Sequence, residues 1–360
     1  MLHALIMAGG SGTRFWPASR ADLPKQLLTL VGQTSMLRAT ADRLGELVPP
    51  PRRLVMTNER LVERIAEQLP ELPAGAIVGE PCKRDTAPCI GLAAMLFRHR
   101  DADATMVVMP ADHVIREEEM FRQAVQQASE LVEQHPGRIV TFGIRPSYPA
   151  EIFGYIQRGA PLEVPAAVAP AYHVAQFREK PAADVARQYL AAGDFYWNSG
   201  IFVWKAATIL DELARREPAM TLQLEKITAA RGQADFAQIF AREFAAIQGR
   251  SIDYAVMEHA REVVVIEAPF DWDDLGSWQS LTRLLPEDPQ GNVIQAKHLG
   301  HQTTGCIIRS EPDHLIATLG ISDLIVVHTP DATLVANKHD EEAIRQLVQG
   351  IAERGWREYL

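Results

Sequence analysis

The chain has 360 residues, 47% of them hydrophobic and 23% charged, which allows one large domain with a small one, or two domains. Acidic residues outnumber basic ones by 46 to 36, and the formal net charge of -10 argues against wholesale binding to nucleic acid or to an anionic membrane surface. No apolar run approaches the ~18 residues of a membrane span, and none resembles a secretory leader. The three cysteines are too few for a disulfide framework. We therefore expect a cytoplasmic protein.

Apolar strand-like runs alternate with amphipathic segments of helical period through the first half of the chain. Strands are predicted over 4–7, 54–57, 76–78, 105–109 and 139–143. Helices are predicted over 36–47, 61–69, 86–98 and 117–134, with Ser35 and Asp85 as N-caps. This alternation predicts an α/β fold with a doubly wound, mostly parallel, Rossmann-like sheet that binds its ligand at the carboxyl ends of the strands.

The middle of the chain is more mixed, and its end is rich in short strands. Strands are predicted at 172–177, 200–204 and 263–266, among helices at 182–191, 206–216, 221–230, 236–246 and 252–259. After a turn-rich segment at 286–289, strands at 304–309, 315–319, 324–329 and 332–336 precede a helix at 340–354. We therefore predict a catalytic domain at 1–285 and a small β-rich domain at 286–360.

The segment 7–26, directly after the first strand, is the most informative part of the chain. Glycines that let the backbone turn tightly are followed by cations: Gly9, Gly10, Gly12, Arg14, Arg20 and Lys25. Backbone N–H groups and fixed cations behind a first strand form a phosphate cradle. We therefore expect the chain to bind a nucleoside triphosphate.

Two common phosphate loops are excluded for this segment. The Walker loop needs Gly-Lys-Ser/Thr after its glycines, and none follows here. The dinucleotide fingerprint would begin at Gly10 and Gly12, but Phe15 stands where its third glycine should be.

Two carboxylates follow apolar strands elsewhere in the chain. Asp112 comes at the carboxyl end of the strand at 105–109, and Asp274 lies in the acidic segment 271–278 after the strand at 263–266. Carboxylates and phosphate oxygens are the ligands that Mg2+ prefers. An Asp at a strand end is also a common helix cap, and an acidic loop is often only solvated.

The segment 7–26 closely resembles the N-terminal signature of the sugar-1-phosphate nucleotidylyltransferases, whose fold is that of the nucleotide-diphospho-sugar transferases. Trp16-Pro17 and Pro24-Lys25-Gln26 make it most similar to the mannose-1-phosphate guanylyltransferase branch. Pro110-Ala-Asp-His113 and the surroundings of Asp274 resemble the two metal-binding motifs of that family. The resemblance implies that Arg14, Lys25, Asp112 and Asp274 are catalytic, and that Asp112 and Asp274 hold Mg2+.

The resemblance also implies which residues bind the nucleotide, and these are Ala8, Gly9, Gly10, Ser11, Gly12, Thr13, Glu80 and Arg84. The carboxylate of Glu80 suits guanine, because it could accept hydrogen bonds from both N1–H and the 2-amino group, whereas uracil and thymine offer only one such donor. Asn is usual in the family where Asp85 stands.

Sugar-phosphate binding is implied for Gly154, Glu179, Lys180 and Asn198, from the similarity of Phe177-Arg-Glu-Lys-Pro181 and Trp197-Asn-Ser-Gly200 to family motifs. The family's sugar loop differs at 149–156: Gly154 and Tyr155 are retained, but its first glycine and its threonine are replaced by bulkier or charged residues.

These resemblances imply transfer of GMP from GTP to a sugar 1-phosphate, namely α-D-mannose 1-phosphate, with release of pyrophosphate. We also expect a homodimer, no nucleic-acid partner and, given the chain length, no appended isomerase domain. Two alternatives stay open: a nucleotidylyltransferase for another sugar or base, and a nucleotide-sugar-sensing subunit without turnover. The small C-terminal domain is implied to be a left-handed β-helix, although it shows no clear repeat.

Overall fold

A computed structural model describes residues 1–10, 12–165 and 167–360, so the predicted nucleotide ligand Ser11 lies outside the described residues. The strands are β1 (Leu2–Ala8), β2 (Arg53–Asn58), β3 (Ile77–Glu80), β4 (Thr105–Pro110), β5 (Val114–Ile115), β6 (Ile139–Ile144), β7 (Tyr155–Leu162), β8 (Ala171–Arg178), β9 (Phe195–Lys205), β10 (Val263–Glu267), β11 (Trp272–Asp273), β12 (Val293–Gln295), β13 (Lys297–Thr304), β14 (Ile307–Arg309), β15 (Leu315–Ser322), β16 (Leu324–His328) and β17 (Thr333–Asn337).

The α-helices are α1 (Met36–Arg43), α2 (Val62–Gln68), α3 (Thr86–Arg100), α4 (Glu118–Gln134), α5 (Ala183–Ala192), α6 (Ala206–Arg216), α7 (Pro218–Ala229), α8 (Phe236–Ala246), α9 (Leu281–Leu284) and α10 (Ile344–Glu353). The helix predicted at 252–259 is instead a five-residue π-helix, Asp253–Met257. Among the described residues, no helix is both long and apolar enough to cross a membrane.

The large sheet has the strand order β3-β2-β1-β4-β9-β6-β10-β8-β7. Strand β1 pairs in parallel with β2 and β4, and the pairs β2–β3 and β6–β10 are also parallel. Strand β9 runs antiparallel between β4 and β6. The predicted mostly parallel α/β sheet is therefore confirmed, with β9 as an antiparallel insertion and with β8 and β7 in antiparallel pairing at one end of the sheet.

Burial on both faces explains why apolar runs mark the parallel strands. Ala4, Leu5 and Ile6 of β1 are fully buried, and α3 is buried along most of its length because it packs against α6 and α7. The predicted cap of α3 is confirmed, since the Asp85 carboxylate accepts from the backbone N–H of Thr86 at 3.0 Å.

The C-terminal strands stack as parallel coils. Strands β12, β14 and β16 pair in parallel, as do β13 and β15, and β17 closes the first set in antiparallel pairing. Lys297 lies opposite Leu315 and Ile307 opposite Ile325, each partner 18 residues further along the chain, whereas Val293 lies opposite Ile307, 14 residues further. Parallel pairing of successive short strands from one coil to the next is the geometry of a β-helix, which confirms the predicted β-rich C-terminal region.

The chain forms two compact units that interleave along the sequence. Unit 1 contains Met1–Gly9, Thr40–Ala111 and Ile115–Trp272, and unit 2 contains Gly10–Ala39, Asp112–Val114 and Asp273–Leu360. Unit 2 has its own core, in which Phe15 meets Trp278 edge-on at 5.0 Å among buried residues of the C-terminal strands and α10. The division at 285–286, drawn along the chain, stays a prediction.

Candidate active site

The glycine turn in unit 2 is shaped by close packing against Lys25. Gly12 has φ 59, a left-handed conformation that favours glycine. A Cβ at Gly12 would also lie 2.8 Å from the backbone nitrogen of Lys25, so a side chain does not fit there. The side-chain amide of Gln26 donates to the carbonyl of Gly10 at 3.2 Å. These contacts hold the turn beside the cation predicted to act with it.

Lys25 connects the two predicted metal-binding segments. Its side chain is nearly buried, and its ammonium donates to Asp112 Oδ2 at 2.8 Å and to the backbone carbonyl of Asp274 at 2.7 Å. Burial raises the pKa of Asp112, but the Lys25 ammonium and His113 outweigh it and hold that pKa below its usual value. Three predicted residues that are far apart in sequence therefore meet in unit 2.

Asp274 is the carboxylate of its loop that faces the site. Its neighbour Asp273 is held by Arg283 through contacts of 2.6 and 3.0 Å, which gives Asp273 a structural role. Burial raises the pKa of Asp274 to about 6, against the opposing effect of Lys25, and the negative charges of Asp273 and Asp112 raise it further. A carboxylate in such surroundings gains from a second cation, which is what a metal ion supplies.

A cavity of about 250 Å³ joins these groups. It is lined by Gly12, Thr13, Arg14, Phe15, Lys25, Asp112, His113, Asp274, Gly276 and Arg345. Arg14 is held there by a hydrogen bond from Nη1 to the carbonyl of Gly276 at 3.2 Å. All four residues predicted to be catalytic thus line one cavity, with both carboxylates and two cations available to a phosphorylated ligand.

The donor set fits a metal ion that is shared with a ligand. Among the described residues, no cluster of three or more His, Cys, Asp or Glu side chains could hold a metal ion by itself. The two carboxylates beside this cavity would supply part of the oxygen ligands of a hard divalent cation, and phosphate oxygens and water would supply the rest.

Of the residues predicted to bind the nucleotide, Ala8, Gly9, Glu80 and Arg84 lie in unit 1. Ala8 ends β1, where its carbonyl accepts from Thr57 Oγ1 at 3.0 Å. Glu80 ends β3; burial raises the pKa of Glu80 to about 7, opposed by a hydrogen bond from Cys89, and its Oε1 is buried without a partner in the described part of the chain. Arg84 donates instead to the carbonyls of Lys83 and Ala245, which ties its side chain to the local backbone.

The residues predicted at the sugar form a second cluster in unit 1. The Lys180 ammonium lies 2.8 Å from Glu179 Oε1, and the backbone N–H of Asn198 donates to the carbonyl of Gly154 at 2.8 Å. A Cβ at Gly154 would lie 2.5 Å from Glu179 Oε2, so a side chain there would displace the Glu179 carboxylate from its position. All four predicted residues are brought together.

Asp253 belongs to this cluster and was missed from the sequence. Its Oδ1 accepts from Asn198 Nδ2 at 3.0 Å. Burial and the nearby Glu179 carboxylate raise the pKa of Asp253 to about 7, although Lys180 opposes them. Its only signal in the sequence is its place in the helix predicted at 252–259, and a helical pattern does not distinguish Asp253 from other polar residues of that segment.

Family models and curated relatives place this chain in the same protein family. The Nucleotidyl transferase model matches residues 3–291, and the MannoseP isomerase/GMP-like beta-helix domain model matches residues 296–351. Mannose-1-phosphate guanylyltransferase ManC of Salmonella typhimurium is 41% identical over 99% of this chain and 75% of its own length. A mannose-1-phosphate guanylyltransferase of Klebsiella pneumoniae is 40% identical over 100% of this chain and 76% of its own length.

A solved structure supports the same grouping over the full fold. The crystal structure named mannose-1-phosphate geranyltransferase, from Thermus thermophilus, matches with a TM-score of 0.85 and 34% identity, covering 98% of this chain and 99% of that chain. Nucleotidyltransferases of this family generally use a divalent metal ion, in agreement with the paired carboxylates of unit 2. The chain therefore belongs to the nucleotidyl transferase family and is a nucleotidyltransferase.

Proposed function

We propose that this enzyme transfers GMP from GTP to α-D-mannose 1-phosphate, giving GDP-mannose and pyrophosphate. The names of the relatives support the substrates. The observation that carries the chemistry is the position of Lys25, whose ammonium contacts both Asp112 and the Asp274 loop in a cavity that Arg14 also lines. A single anionic ligand in this cavity would meet all four groups.

In this reaction the side chains and backbone amides of the protein position the substrates and neutralise the charge of their phosphates. An oxygen of the sugar phosphate attacks the α-phosphorus of GTP, and the bond from that phosphorus to pyrophosphate breaks, so no covalent enzyme intermediate is needed. Arg14, Lys25 and the amides near Gly10 and Gly12 bind the triphosphate, and preorganised charges of this kind lower the barrier. Asp112 and Asp274 would hold Mg2+, which stabilises the negative charge that develops on phosphate oxygens.

Glu80 is the residue that we propose reads the base. Its Oε1 is buried and has no hydrogen-bond partner among the described residues, so its acceptor capacity is unused. The raised pKa of about 7 reflects the burial of a carboxylate that has few donors. Guanine supplies two N–H donors to one carboxylate and would stabilise its ionised form, whereas uracil and thymine supply one.

The altered sugar loop keeps the part that contacts the residues predicted at the sugar. The residues that replace the family's threonine and first glycine, Glu151 and Ile152, are exposed, whereas Phe153 is buried and packs on Trp197 at 5.0 Å. Phe153 therefore contributes to an aromatic cluster, while Gly154 keeps its close approach to Glu179. We propose that Glu179 and Asn198 bind sugar hydroxyls and that Lys180 binds the sugar phosphate.

A screen of purified enzyme tests this function directly. Each nucleoside triphosphate is paired with each of several hexose 1-phosphates, and pyrophosphate release is followed with Mg2+ and with other divalent ions. We expect GTP with mannose 1-phosphate and Mg2+ to give the highest kcat/KM. Preference for UTP or dTTP would contradict the guanine assignment, and binding of GDP-mannose without any pyrophosphate release would favour a sensing subunit.

Cellular location and assembly are further proposals. We propose a cytoplasmic protein, which the three free cysteines support, and fractionation of cells tests it. We also propose a homodimer. The exposed side chains of Leu299, Leu315 and Leu319 on the sheet of β13 and β15 give this proposal a surface, and light scattering of the purified protein tests it.

A further inference from the structure

The segment 338–345, at the end of the C-terminal strands, reaches the phosphate cavity within unit 2. Its Glu341 carboxylate accepts from Ser277 Oγ at 2.6 Å and from the backbone N–H of Gln279 at 3.1 Å, beside the loop that carries Asp274. Arg345, in the first turn of α10, lines the cavity itself. This segment lies far in sequence from the residues that carry the proposed chemistry.

Glu342 lies between two arginines of this cavity. Its Oε1 is 3.1 Å from Arg14 Nε, and its Oε2 is 3.9 Å from Arg345 Nη1. The side chains of Glu342 and Arg345 are 65% and 54% exposed, whereas that of Arg14 is 21% exposed. A carboxylate shared by two guanidinium groups occupies the position that a phosphate group would take between the same two cations.

The contact is weak enough to be exchanged. Glu342 is 65% exposed, so water screens its charge and its ion pairs contribute little to stability. A terminal phosphate of a nucleotide carries more charge than a carboxylate and offers three acceptor oxygens to the guanidinium groups. A phosphate would therefore compete well with Glu342 for these guanidinium groups, and the carbonyl of Gly276 already holds Arg14 near the cavity.

We propose that Arg345 binds the terminal phosphates of GTP, and pyrophosphate in the reverse reaction, and that Glu342 is a positioning residue that holds Arg14 until a phosphate displaces it. The proposal rests on the proposed function of the cavity. The C-terminal β-rich region would thereby contribute the side chain of Arg345 to substrate binding, in addition to its structural role.

An ordinary surface ion pair is the competing explanation, since Arg345 and Glu342 are three residues apart in sequence. That explanation accounts for their mutual contact. It does not account for the contact of Glu342 with Arg14, 328 residues away, or for the position of Arg345 on the cavity wall.

Two charge-neutralising variants test the proposal. Arg345→Gln should raise the KM for pyrophosphate, measured by GTP formation from GDP-mannose, about fivefold, with the KM for GDP-mannose unchanged. Glu342→Gln should tighten pyrophosphate binding, measured by titration calorimetry with Mg2+, by a similar factor. Both effects should shrink as ionic strength rises, because the charges are partly exposed. Arg354→Gln and Glu353→Gln, also at the C-terminal helix but away from the cavity, are the matched controls.

The outcomes separate this proposal from the one on which it rests. Unchanged pyrophosphate affinity in Arg345→Gln, or weaker affinity in Glu342→Gln, overturns the assignment of the segment 338–345. If Arg14→Ala also keeps normal turnover, the proposed phosphate cavity itself is wrong. Melting temperatures equal to that of the unmodified protein would show that the shifts are not caused by unfolding.

Discussion

Replacing Lys25 with methionine is the sharpest single test of the phosphate cavity. The variant keeps a long apolar side chain but removes the ammonium that lies 2.8 Å from Asp112 Oδ2 and 2.7 Å from the carbonyl of Asp274. Loss of one preorganised electrostatic contact in an active site costs about 10²–10³ in rate. We therefore expect kcat to fall by at least that range.

The effect on stability should be much smaller. Breaking a fully buried ion pair costs about 3–5 kcal/mol. The Asp112 side chain is 35% exposed, so water can solvate the carboxylate that Lys25→Met leaves behind. We expect a loss of about 1–2 kcal/mol in the free energy of unfolding, within the cost of an unpaired polar group. The protein should remain folded at the assay temperature.

The assay is the initial rate of pyrophosphate release at saturating GTP and mannose 1-phosphate, with a thermal melt of each protein. Lys226→Met is the control, because Lys226 is 47% exposed and contacts Glu243 away from the cavity. A folded Lys25→Met enzyme with kcat within a few fold of the unmodified protein would refute the reasoning. It would mean that the contacts of Lys25 with Asp112 and Asp274 stabilise the fold and do not contribute to catalysis.

Three further predictions concern unit 1. Gly154→Ala places a Cβ 2.5 Å from Glu179 Oε2 and should displace that carboxylate. The KM for mannose 1-phosphate should then rise at least about tenfold, as expected when one hydrogen-bonding group is displaced, with the KM for GTP unchanged. An unchanged KM for mannose 1-phosphate would contradict the proposed sugar site. Glu80→Gln should reduce the preference for GTP over UTP about tenfold, and equal preference ratios would rule out base reading by Glu80. Because the pKa of Asp253 is raised, that carboxyl stabilises the fold at low pH, and its contribution is lost between about pH 4 and pH 7. Asp253→Asn should therefore melt higher than the unmodified protein at pH 8 and nearly equal to it at pH 4; an equal difference at both pH values would contradict the shifted pKa.

The parts of the fold that could be predicted from sequence are those where burial leaves a local pattern. Strands β1, β2, β4 and β6 are buried on both faces, and each was recognised as an apolar run. Strand β13 is mostly exposed and carries polar side chains, so it has no such run and was missed. The repeat of the C-terminal region was also hidden, because an 18-residue offset that occurs over so few coils does not stand out.

Sequence-based prediction of the candidate site has the same limit, here for contacts between residues that are far apart in the chain. Arg14, Lys25, Asp112 and Asp274 could be named because the chemistry of phosphate and metal binding selects residue types at strand ends, and the family motifs mark their positions. Glu342 and Arg345 are ordinary charged residues on the surface, and only the folded chain brings them to the cavity. Asp253 was missed for a related reason, since its role depends on a contact with Asn198, 55 residues earlier.

The core of unit 2 has a practical consequence for shortened forms of this enzyme. Phe15, directly after Arg14, is fully buried against Trp278, and both belong to one apolar cluster with Ile307, Ile325 and Ile344. A protein truncated after residue 291 would keep the proposed catalytic residues Arg14, Lys25, Asp112 and Asp274. The glycine turn before Phe15 would nevertheless lose the packing of Phe15 and Trp278 against the C-terminal strands and helix. Removing the final strands should therefore abolish nucleotide binding, even though unit 1 would retain its sheet.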